Sequence, residues 1–97
     1  SQINTLYDTP LQIRYDNLDT SATYRMRVTY TGRFRSKLKL VANDNIVIHD
    51  LMQTGEKPVY EFDIPREATA GGKVTFTWTC GEGQRGSQVT EIWLMRK

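Results

Sequence analysis

One cysteine, one histidine and three prolines are all that this chain of 97 residues has of the residue types that staple, ligate and kink. With Cys80 alone, no disulfide can close within the chain, and a core of packed side chains has to hold the fold. Cys80 itself reads as a small apolar residue at the end of a strand. A zinc site would have to lean on His49 and on carboxylates. No apolar run is long enough to span a bilayer, and no basic-then-apolar start marks a signal peptide, so membrane insertion is not expected. The chain opens on Ser1, which fits a mature product or a segment of a longer protein, so the missing signal says nothing about export. A formal net charge of +2 is too small to argue for nucleic acid without a local patch.

What is present is alternation. In "YRMRVTY", Tyr24, Met26, Val28 and Tyr30 share one face, and Arg25, Arg27 and Thr29 share the other. "KVTFTWTC" sets Val74, Phe76, Trp78 and Cys80 against lysine and threonines, and "VYEFDI" sets Tyr60, Phe62 and Ile64 against Glu61 and Asp63. A period of two belongs to strands with one face in a core and the other in water. Leu11 to Tyr15, Lys37 to Ala42, Ile46 to His49 and Val89 to Met95 add further strands, with one more near Ile3 to Tyr7. About eight short strands separated by turn signals predict an all-β, antiparallel sandwich, a single domain over residues 1–97. Asn43-Asp44-Asn45 is expected to turn a tight hairpin, Pro65 to Ala70 to make at most one helical turn. In the last strand Val89, Trp93 and Met95 fall on one face and Ile92 and Leu94 on the other. Two apolar faces fit a central strand or one packed against a neighbouring domain; the central strand is expected, with Trp93 in the core.

Leu18, six residues before Tyr24, has the spacing of a tyrosine corner, where the chain crosses between the sheets of a Greek-key sandwich. Together "YDNLDTSATYRMRVTYTG", "YEFDIPREATAGGKVTFTW" and "GQRGSQVTEIWLMRK" resemble galactose-binding-like jelly rolls. More narrowly, they resemble the β-sandwich accessory modules of large carbohydrate-active enzymes from Bacteroidetes, over roughly Pro10 to Lys97. That resemblance implies a module of a longer, glycoside hydrolase-like polypeptide, periplasmic or at the cell surface of a Gram-negative bacterium. Its partner would be a glycan or a neighbouring catalytic domain. The chain is shorter than usual for the fold, which implies trimmed ligand loops.

Chemistry-bearing residues are sparse. Glu61 with Asp63, and Asp16 with Asp19, are the carboxylate pairs, and none is marked as lying across a cleft, as glycoside hydrolysis requires. His49 has no recognisable serine or cysteine nucleophile beside it, so no enzyme is expected. Calcium needs six to eight oxygens from several segments, and the Asn43–Asn45 turn offers too few; no cofactor is expected. Sugars are held by a flat aromatic bordered by arginine and amide groups. Phe34, flanked by Arg33 and Arg35, and the Gly81–Gln88 stretch with Gln84 and Arg85 are the candidate carbohydrate-binding residues. Each stretch has a plainer reading, a plug over the core for Phe34 and a connector pinned by an Arg85–Glu91 pair for the other. Tyr7, Tyr15 and Tyr60 are further candidate platforms, with Trp78 and Trp93 ranked behind them because their strand register points to the core. Six basic residues and no acid lie between Thr20 and Asn43, and a hairpin there would put them on one face, unless Glu61 and Asp63 neutralise them. Such a patch would attract pectin-like uronates, lipid headgroups or nucleic acid, and without an array of stacking aromatics nucleic acid is the poorest fit of the three and is not expected as a partner.

Overall fold

The computed structural model describes residues 11–30, 37–53, 59–80 and 89–97. They form strands β1 (Leu11–Tyr15), β2 (Tyr24–Tyr30), β3 (Lys37–Ala42), β4 (Ile46–Gln53), β5 (Val59–Ile64), β6 (Val74–Cys80) and β7 (Val89–Arg96), with a single-turn helix α1 (Arg66–Thr69) between β5 and β6. A four-stranded sheet has the order β1-β6-β3-β4, and a three-stranded sheet the order β5-β2-β7. Every pairing is antiparallel. Of the connections between described strands only β3–β4 stays within a sheet. The others cross between layers, which is the winding of a jelly roll. The expected strand near Ile3 to Tyr7 lies outside the described residues.

The alternating faces meet where the sequence puts them. Met26, Val28 and Tyr30 of β2 face Leu38, Leu40 and Ala42 of β3 and Val74, Phe76 and Trp78 of β6 in one buried cluster. Burying a side chain of this size is worth about 1.5–3 kcal/mol, so the two central strands β2 and β6 dominate the core. Tyr24 closes the corner: its buried hydroxyl accepts a hydrogen bond from the Asp19 backbone N–H at 2.9 Å, and Leu18 packs against the core nearby. The tyrosine corner expected from the spacing is present.

The β3–β4 turn is built on left-handed backbone at Asn43 (φ 51°) and Asp44 (φ 70°), a region that asparagine and aspartate tolerate best among residues with a side chain. The Asn43 amide then ties three elements together. Its Nδ2 donates to the Ala68 carbonyl at 2.8 Å, and its Oδ1 accepts from the Thr75 N–H at 3.1 Å.

Two strands are not regular. In β7, Glu91 faces Thr29 but Val89 faces Tyr30, so Thr90 is one residue too many for the ladder. In β4, His49 faces Leu40 but Val47 faces Val41, which makes Ile48 the extra residue, and a second shift comes before Met52. A bulge of one residue turns everything beyond it to the other face. This corrects one expectation for β7, that Trp93 lies in the core. Among the described strands β7 pairs only with β2, and the residues of the expected first strand lie outside them. Val89 and Ile92 are both buried because the bulge lies between them, and Trp93 is turned outward, 55% exposed.

Candidate functional site

The outer face of the three-stranded sheet is set by the register of β2. Arg27 stands opposite Trp93 on one side and Glu61 on the other; Arg25 stands opposite Met95 and Asp63; Thr29 stands opposite Glu91 and Val59. The middle row thus reads Trp93, Arg27, Glu61 across three neighbouring strands, a span of roughly 10 Å at the usual strand separation. Trp93 presents an indole to solvent, and its Nε1–H donates to a Glu91 carboxylate oxygen two residues back on the same strand. That bond fixes the ring's orientation while leaving a second Glu91 oxygen for another donor.

Charges alternate across this surface. Asp63 Oδ1 accepts from Arg25 Nε at 3.1 Å and from Lys97 Nζ at 3.1 Å. Lys97 and Arg25 together hold the Asp63 carboxyl below the usual carboxylate range. Arg27 and Glu61 are in register but form no ion pair among the described residues. The basic stripe expected between Thr20 and Asn43 is therefore not one patch. β2 and β3 belong to different sheets, so Arg25 and Arg27 lie on one outer face and Lys37 and Lys39 on the opposite one. On the β2 side, Asp63 neutralises Arg25 across the strands, the alternative that the sequence left open.

A second constellation lies inside, where β4 and β5 approach. The Trp78 Nε1–H donates to the Tyr30 hydroxyl at 2.9 Å, and that hydroxyl stands 2.7 Å from His49 Nε2. His49 Nδ1 lies 2.9 Å from the Asp50 carbonyl. A carbonyl only accepts, so Nδ1 carries the hydrogen and Nε2 accepts from Tyr30. Burial lowers the His49 pKa from its ordinary value and raises that of Tyr30. The His49 ring lies 4.8 Å from that of Phe62, and Phe62 stacks with Tyr60 at 6.4 Å. The His49 and Tyr30 polar atoms have partners within the fold, so the arrangement ties the two sheets together. No cluster of metal-ligating side chains occurs among the described residues.

Of the residues the sequence pointed to, Arg33, Phe34, Arg35, Gln84 and Arg85 all lie outside the described residues, as does Tyr7. The strand ends that flank them are described: Tyr30 pairs with Val89, and Leu38 with Cys80. Tyr15 and Tyr60 are half-buried, Tyr15 edge-on to Phe76 at 6.0 Å and Tyr60 tilted against Tyr30 at 5.5 Å. Both pack at the core's margin. Trp93, ranked low as a platform because its parity assigned it to the core, is an exposed aromatic. The available signal was the change of apolar parity between Val89 and Ile92, which marks a bulge as well as it marks a strand covered on both faces.

No helix among the described residues is long and apolar enough to cross a membrane. No protein-family model matches the chain, and no curated protein matches it. Among solved structures it is similar to a recombinantly expressed latent aurone synthase (polyphenol oxidase), co-crystallised with hexatungstotellurate(VI), with a TM-score of 0.62 and 11% identity. The similarity covers 98% of this chain but 27% of that one, so the chain spans about a quarter of that protein's length. At this identity the likeness is one of fold, an antiparallel β-sandwich.

Proposed function

We propose that the chain is a non-catalytic accessory module that binds carbohydrate for a glycoside hydrolase-like protein outside the cytoplasm, periplasmic or at the cell surface. The observation that carries the proposal is Trp93, 55% exposed on the outer face of a sheet, its N–H occupied by Glu91 and its ring bordered by Arg27. A large ring left in water on a rigid strand loses the benefit of burial. A sugar restores it, because the C–H groups of a pyranose face cover the ring while arginine and carboxylate bond the hydroxyls. Arg33, Phe34, Arg35, Gln84 and Arg85 are the further contact residues to which the sequence points.

The test is affinity electrophoresis through gels cast with polysaccharide. Retardation is expected for the chain, weakened most in Trp93→Ala and less in Phe34→Ala and Arg85→Ala, with unchanged circular dichroism in all three. Retardation unaffected by Trp93→Ala contradicts the proposal.

A second reading has its own support: a module that buttresses a neighbouring catalytic domain and binds no ligand. Val47 and Leu51 on β4 are 50% and 48% exposed, apolar surface of the kind that contacts between domains cover. The fold neighbour, too, is a latent enzyme of which the likeness covers only a part. Under this reading no glycan retards the chain, and deleting it from its parent protein inactivates the neighbour.

A further inference from the structure

Among the described residues, the outer face of the three-stranded sheet carries three cations, Arg25, Arg27 and Lys97, and three carboxylates, Glu61, Asp63 and Glu91, so the formal charge of these six sums to zero. The signs are interleaved and not segregated. Asp63 lies between Arg25 and Lys97, Arg27 faces Glu61, and Glu91 holds the Trp93 ring. An acidic polysaccharide places a carboxylate on each sugar. Over Trp93 that carboxylate would meet Glu91 beside the ring and Glu61 two strands away, with Arg27 as the one cation of the middle row. Like charges brought together as water is displaced cost affinity, and complementary fields are what select partners. Neutral hydroxyls fit instead, because each donates and accepts: they can accept from the Arg27 guanidinium and donate to Glu61 and to the second oxygen of Glu91.

Resting on the carbohydrate-binding reading, we propose that this face selects a neutral, hydroxyl-rich glycan, one sugar stacked on Trp93 and the next reaching across Arg27 to Glu61, and that it discriminates against polyuronates. Glu61 and Arg27 are then specificity-determining residues, and Trp93 supplies the shared affinity. Because hydroxyl contacts carry no net charge, binding is insensitive to salt, unlike capture of a polyanion.

The experiment compares retardation of the full chain in gels holding neutral polysaccharides (β-glucan, xylan, galactomannan, arabinan) with gels holding polygalacturonate or alginate. Retardation in at least one neutral gel and none in the acidic gels is expected. It should persist at about 0.5 M sodium chloride, where screening acts within a few ångströms, and weaken about tenfold in Trp93→Ala, the loss of one aromatic contact. Glu61→Lys, which gives those six positions a charge of +2, should bring polygalacturonate retardation with it. Retardation of the unaltered chain in the acidic gels alone overturns the neutral-glycan inference and leaves the carbohydrate reading standing. Retardation in neither set overturns both.

Discussion

The Tyr30 hydroxyl sits 2.7 Å from His49 Nε2, joining the end of β2 in one sheet to the edge strand β4 of the other. It does so with a group that has no access to water, since Tyr30 is 0% exposed. The same hydroxyl accepts from Trp78. One oxygen therefore bonds the polar atoms of two other large rings, and its loss takes a hydrogen bond from each of them.

Tyr30→Phe keeps the ring and removes that oxygen. The Trp78 N–H and His49 Nε2 then lose the bonds they make to it, and an unsatisfied buried group costs about 1–3 kcal/mol. A destabilisation of about 2 kcal/mol is expected from urea denaturation, with the circular dichroism of the folded state retained. A change below about 0.5 kcal/mol, the range of ordinary surface substitutions, would mean that the oxygen is not a junction.

The pH dependence arises from the same bond. His49 is neutral in the fold, with its pKa lowered below the ordinary 6.5 chiefly by burial and in opposition to the Asp50 contacts, which raise it. A base whose folded pKa is depressed favours the unfolded chain once that chain takes up a proton. Stability is thus complete above about pH 7 and declines as the pH falls through 6.5 toward the lower folded value. His49→Gln keeps an acceptor for Tyr30 and removes the proton site. Thermal melts from pH 7.5 to 5 should show a steeper fall for the unaltered chain than for the variant, and equal slopes would refute the assignment.

Asn43 makes a separable prediction. Alanine there loses two side-chain hydrogen bonds and must still adopt positive φ. The combined cost is about 2–4 kcal/mol. Glycine relieves the backbone and not the bonds, so Asn43→Gly is expected to recover about 1 kcal/mol of that loss. If the two variants melt together, the left-handed backbone carries no strain worth relieving.

How much of this was legible in the sequence depends on the kind of signal. Regular alternation placed β1, β2, β3 and β5 at their observed bounds, because a strand with one buried face writes its geometry into every second residue. The six-residue interval from Leu18 to Tyr24 and the Asn43-Asp44 turn were legible too, since each needs particular side chains at particular backbone positions. Trp93 and His49 were not. Both lie beyond a bulge, and a bulge is a property of the pairing between strands, absent from the composition of either one. Thr90 and Ile48 look like ordinary strand residues, yet each reverses the parity of the residues after it. The division of the basic residues between two faces was hidden for a related reason. Strands adjacent in sequence commonly pair, and here β2 and β3 cross between layers.

The chain has two tryptophans, one fully buried and one on the outer face, so its indole N–H signals report core and surface separately. Titrating a nitrogen-15-labelled sample with the neutral oligosaccharide that retards it best should shift the Trp93 indole resonance saturably, along with the backbone amides of Arg27 and Glu61, and leave Trp78 in place. A bound glycan that leaves the Trp93 resonance unmoved would contradict the account.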